Sequence, residues 1–177
     1  MLVLFEDHLK RIAIDPSDDF HFQMRGRIGK RATLILEKRL REAILLMPKL
    51  LSRTYKHCRL EVPSEIKKLV EFALTYFYHP LNVLPGKKDK LFGYLDDAYF
   101  IVLAYEKILK VLSRHQKIQL SVFDRRFLSH FQLLKKSVEG VIPVEAEKVS
   151  KFINRRLVGK GTQTNQPKGV QHEYSAS

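Results

Sequence analysis

Between Leu69 and Leu112 the chain reads as two apolar helical runs joined by a loop built on Pro80, Pro85, Gly86 and Gly93. No other stretch restricts the fold as much. In the first run Ile66, Leu69, Val70, Ala73, Leu74 and Phe77 recur at helical spacing, and Phe72, Tyr76 and Tyr78 widen the stripe. A helix apolar over most of its circumference is central to a body, or it faces a partner or lipid. The second run opens with Asp96-Asp97 and carries no charge from Ala98 to Tyr105. It then turns amphipathic, with Ile108, Leu109, Val111 and Leu112 set against Lys107, Lys110 and Arg114. Prolines fix φ and remove donors, and glycines permit turns that other residues resist, so the two runs read as a helical hairpin with a structured bend. No apolar run reaches the roughly 20 residues that span a bilayer. The longest uncharged candidate, Phe72 to Gly86, is broken by His79-Pro80 and Pro85.

The rest of the chain supplies helices to pack around that hairpin. Leu2, Phe5, Leu9 and Ile12 fall at helical spacing, and Asp15-Pro16-Ser17 ends the run because proline pushes its predecessor out of the α region. Residues 17–29 read as a loop whose Phe20 and Phe22 dock on the body. A helix is expected from about Lys30, with Leu36, Leu40, Ala43, Ile44, Met47 and Leu51 on one stripe. Pro48 either kinks it or restarts it, keeping Lys49 to His57 helical. Ser64 suits an N-cap after Pro63. Ser121 with Asp124 forms a partial capping box ahead of Phe123, Phe127, Phe131, Leu134 and Val138, and Gly140 suits the stop. The last helix has Pro143 at its start, Glu145 and Glu147 early, Arg155 and Arg156 late, and Gly159 after it. Residues 160–177 show no apolar period and read as a disordered tail. The expectation is an all-α, single-domain bundle over 1–159, of about six helices around the hairpin; alternating strands and helices are absent.

The formal charge is +13 and the sequence pI is about 9.9. Such an excess attracts polyanions and says nothing about fold. Eleven Lys/Arg stand against Glu37 and Glu42 between Arg25 and Arg59. The candidate polyanion-binding residues are Arg25, Arg27, Lys30, Arg31, Lys38, Arg39 and Arg41; the competing reading is a solvated helix face. No helix-turn-helix, zinc finger or RNA-recognition signature accompanies them. The single cysteine, Cys58, allows no internal disulfide and no thiolate zinc cluster. It fits a reducing compartment. The start lacks the basic region of a cleaved signal peptide, so the expected location is cytoplasmic, with a membrane surface as the alternative.

The bend carries a further pattern. The run MPKLLSRTYKHCRLEVP, then YFYHPLNVLP, then GYLDDAY, over residues 46–112, resembles the YkvA-like family, a bacterial domain of unknown function. Pro80, Pro85, Gly93, Asp96 and Asp97 fall on the family's pattern. His79, Asn82 and Gly86 depart from it, standing where serine and two aspartates are usual. The resemblance implies a helical fold, no established activity, and association with membranes through the apolar hairpin. The family-motif loop is thus Pro80, Asn82, Pro85, Gly93, Asp96 and Asp97.

No catalytic constellation emerges. Asp96-Asp97 at a helix head suit free N–H groups and the helix dipole. A metal site with His79, Asn82 or Asp89 would need more oxygen ligands, and adjacent carboxylates diverge around a helix. GRIGKRAT at Gly26 to Thr33 has too few residues between its glycines for a phosphate loop. There is no HExxH, and Cys58 beside His57 has no partner assignable from sequence. The tyrosines and phenylalanines from 76 to 105 read as core. The expected function is a non-catalytic basic interaction module, without cofactor or metal, that binds an acidic protein or nucleic acid. The alternative is a membrane-associated helical protein.

Overall fold

The computed structural model describes residues 2–58, 62, 64–78, 90–114 and 119–158. The tail at 160–177 and the loop residues Pro80, Asn82 and Pro85 lie outside them. The described residues form six α-helices and one 3-10 turn, with no strand among them. The all-α expectation is met. The helices are α1 (Leu2–Ile14), α2 (Phe20–Cys58), α3 (Ser64–Tyr78), α4 (Leu95–Ser113), α5 (Val122–Val141) and α6 (Pro143–Val158), and the 3-10 turn spans Leu91–Tyr94.

α4 is the axis of the fold. Fourteen of its nineteen residues are buried, including both Asp96 and Glu106, so it is enclosed all round from Ala98 to Glu106, while Lys110 and Ser113 near its end are exposed. It packs against α2, α3, α5 and α6. The hairpin therefore forms, with α3 laid on α4, and its second rod is the centre of the molecule. Phe100 on α4 stacks on Tyr76 of α3 at 3.4 Å between ring centroids. Phe72 and Phe152 complete the cluster at 5.4 and 6.4 Å from Phe100, tying α3, α4 and α6 together. Tyr76, Phe92, Tyr94, Tyr99, Phe100 and Tyr105 are all buried, so these six are core as expected, while the side chains of Phe77 and Tyr78 lie outside the described residues.

Of residues 17–29, only 17–19 form a loop. From Phe20 the chain is helical, because Phe20 and Met24, one turn apart, are fully buried and Ile28 follows on the same side. Asp19 opens this arm, its carbonyl accepting the Gln23 N–H at 2.9 Å. Phe22 points away and is 70% exposed, so only Phe20 docks. The break falls at Gly29, with φ 78° and ψ 167°, inside α2. Beyond it α2 runs unbroken through Pro48 to Cys58, as expected for the helix starting near Lys30.

The two glycines of this region predict opposite signs. Gly29 holds a conformation that L-residues resist, although nothing lies within 4 Å of an added Cβ. Gly29→Ala is expected to cost ~1–3 kcal/mol from the backbone alone. Gly26 is helical with equally open surroundings. Gly26→Ala is expected to stabilise by ~0.5–1 kcal/mol. Urea unfolding of the two variants checks this, and a shift of the same sign in both would refute the assignment of the break to Gly29.

At the other end, the Ser121–Asp124 capping box forms in full. Gly140 is not the stop of α5. The helix runs to Val141, and Ile142 caps it with φ −129°, its N–H bonding the Val138 carbonyl at 2.9 Å. No left-handed residue is needed, because α6 starts at once with Pro143.

Candidate interaction surface

The seven cations singled out in the sequence do not form one surface. Arg27 reaches Glu145 at the start of α6, both Nη atoms lying 3.1 Å from its Oε1. Arg41 donates to Glu37 at 3.0 Å and forms an ion pair with Asp18 at 2.9 Å, with its guanidinium over the Phe20 ring. Arg39 donates to Ser137 of α5 at 3.1 Å. These three hold the bundle together. Asp18 is the partner that sequence reading missed. Its side chain is 3% exposed, and its Oδ1 also accepts the Leu91 N–H at 3.2 Å. That bond pins the 3-10 turn to the α1–α2 connection across 73 residues of sequence.

Arg25, Lys30, Arg31 and Lys38 remain exposed, without an acidic partner among the described residues. Two of them belong to a longer row. Arg31, Lys38, Lys49 and Lys56 are all exposed and lie seven, eleven and seven residues apart. Each of those steps returns to within ~20° of the same side of an α-helix. The row extends ~37 Å along the solvent face of α2 at 1.5 Å per residue. Lys49 leans over the Phe123 ring at 4.3 Å. Leu34 and Ile35, between the first two cations, are 67% and 64% exposed.

Beneath this face lies a polar node. Arg53 of α2 donates Nε to Asp124 Oδ1 at 3.0 Å and Nη2 to Oδ2 at 3.1 Å. The Tyr105 hydroxyl of α4 donates to the same Oδ1 at 2.6 Å, and the Ser121 N–H to Oδ2 at 3.0 Å. Burial alone would push the Asp124 carboxyl up. The bonds from Arg53, Tyr105 and Ser121 outweigh it and hold the group at about 2. Burial, reinforced by the bond to Asp124, raises the Tyr105 phenol. His57 is tilted against Tyr105 at 6.2 Å, and burial lowers its imidazole below the usual range. Its Nε2 is buried without a hydrogen-bond partner among the described residues, and the side chain of Cys58 lies outside them.

Of the family-motif loop, Gly93, Asp96 and Asp97 are described. Gly93 is buried in the 3-10 turn. Asp96 is fully buried in the first turn of α4, and its Oδ1 accepts the Asp97 N–H at 3.0 Å. Tyr76 of α3 donates to Asp97 at 3.2 Å. One acid serves the helix start and the other ties it to α3. No group of three or more potential metal ligands occurs among the described residues. Glu106, the other buried acid of α4, pairs with Lys110 one turn on.

Fold and surface define an all-α bundle with a cationic outer helix face. No helix of the described residues is long and apolar enough to cross a membrane. In comparisons with protein-family models, curated proteins and solved structures, none matches the chain.

Proposed function

We propose that this chain is a non-catalytic interaction module that engages a polyanionic partner, nucleic acid or an acidic protein, through the outer face of α2. The observation that carries this reading is the row of Arg31, Lys38, Lys49 and Lys56, exposed on one helix face. A formal charge of +13 adds long-range attraction. Kinship to the YkvA-like family belongs to the same proposal. It is supported by the order of the motifs and by the way Asp96 and Asp97 secure the head of α4.

Four neutralised phosphates give a log–log salt slope of about −3 to −4 for duplex DNA. Binding of duplex DNA, single-stranded RNA and poly-glutamate is measured across a salt series. Lys38→Ala is expected to flatten the DNA slope by about 1 and to weaken binding to all sequences alike. Absence of binding to every one of these polyanions at about 50 mM salt removes the reading.

Leu34 and Ile35, exposed beside Arg31 and Lys38, favour a second reading. Apolar side chains next to basic ones on one helix face suit an anionic bilayer surface. Flotation of the same proteins with anionic and neutral vesicles separates the two readings. Lipid binding retained by Lys38→Ala but lost by Ile35→Asp points to the membrane.

A further inference from the structure

A second surface lies on a different side of α2. Contacts of Arg39 with Ser137, Lys49 with Phe123 and Arg53 with Asp124 show that α2 and α5 run antiparallel. Between them is an open groove of about 370 Å³. Its floor is apolar, made by Ala43, Leu46, Phe127, Phe131 and Leu134. Leu133 on the lip is 50% exposed. Arg39, Arg126 and His130 stand around it against one acid, Glu42. Arg126 is exposed, with no side-chain partner among the described residues. We infer that this groove receives an amphipathic helix of a partner protein, with apolar anchors at i, i+4 and i+7 and acidic residues on both flanks.

Dimensions and charge select that occupant. The groove follows α2 from Arg39 to Leu46 and α5 from Phe123 to Leu134. At 1.5 Å per residue those spans are ~10 and ~16 Å, which match the ~10 Å between i and i+7 anchors. Cations at the rim complement acidic flanks and repel basic ones. A second copy of this chain is a poor fit, because each copy carries +13. The segment from 159 onward has Lys160 and Lys168 against Glu173 alone, so it does not complement the rim. Nucleic acid is disfavoured by the apolar floor. The one ring at its edge, Phe123, already has Lys49 and Arg53 over it at 4.3 and 4.7 Å.

The test uses the full chain and fluorescence anisotropy. The probe is a labelled peptide of about 15 residues, near the length at which an isolated helix is marginal. It carries leucines at i, i+4 and i+7 and glutamates on the flanks. A sister peptide has lysine for each glutamate, and another has serine for each leucine. The glutamate peptide is expected to saturate, and neither sister to bind. Leu133→Asp and Arg126→Glu sit on the exposed lip, so they preserve the fold, which a melting curve checks. Each is expected to weaken the peptide by about tenfold or more. Lys56→Ala, ~15 Å along α2 from Leu46 at 1.5 Å per residue, is expected to leave the peptide within about twofold, as a distant surface change does. It still flattens the DNA salt slope, so failure at one face is distinguishable from failure at the other. Equal binding of the lysine sister, indifference to Leu133→Asp, or no binding of the glutamate peptide overturns the inference.

Discussion

Asp124→Ala is expected to destabilise the chain by ~3–4 kcal/mol, from a broken buried pair and the lost Asp124 half of the capping box. The carboxylate is 2% exposed and Arg53 26%, so the stranded guanidinium is partly rehydrated and the cost stays near the low end. In a chain of this size that is a fall in Tm of ~10 °C. Arg53→Met combined with Asp124→Leu should cost less than Asp124→Ala alone, because no unpaired charge remains. The pH dependence has a fixed sign. Asp124 sits at about 2 in the folded chain, below its unfolded value. Its contribution is present above the unfolded value of ~3.9 and is lost as pH falls toward the folded one. Urea midpoints of wild type and Asp124→Asn are therefore expected to differ at pH 7 and to converge below pH ~4. A gap that stays constant through that range would contradict the node.

Phe100→Ala is the second large effect, at ~3–5 kcal/mol for a fully buried aromatic ring. The ring is 0% exposed and touches Tyr76, Phe72 and Phe152, so its loss strips α3 and α6 of their shared contact with α4. α3 should loosen first, since it packs only on α2 and α4 among the helices it contacts extensively. Hydrogen exchange is expected to rise in α3 before α5. Phe100→Leu should recover more than half of the lost stability, because it refills most of the cavity. A Phe100→Ala midpoint within ~1 kcal/mol of wild type would show that the cluster does not carry the packing.

Much of this architecture was legible from periodicity and end signals. The stripe on α2, the uncharged first half of α4 and the Ser121–Asp124 box each state a local preference that tertiary packing keeps. The failures have a common origin. Residues 20–28 became helical because Phe20 meets Phe92 at 5.6 Å, a contact 72 positions away that no local window contains. Gly26 and Gly29 look alike in sequence, yet only Gly29 has a positive φ. Gly140 was overruled by the immediate start of α6 at Pro143. The cationic surface was half legible. Charge density marked the right helix, but Arg27, Arg39 and Arg41 are taken by Glu145, Ser137, Asp18 and Glu37. The spacing from Arg31 to Lys56 was in the sequence and would have found the outward row. The groove between α2 and α5 was not, because it exists only once distant segments align.

The enclosure of α4 sets a timetable on the ribosome. α2 is finished at Cys58, while the last residue of the rod that covers its stripe is Ser113, 55 residues later. At ~5–20 residues per second, Leu40, Ile44, Met47 and Leu51 wait ~3–11 s for that cover. During that interval the nascent chain displays a greasy helix flanked by arginines, the kind of transiently exposed apolar surface that favours misassociation.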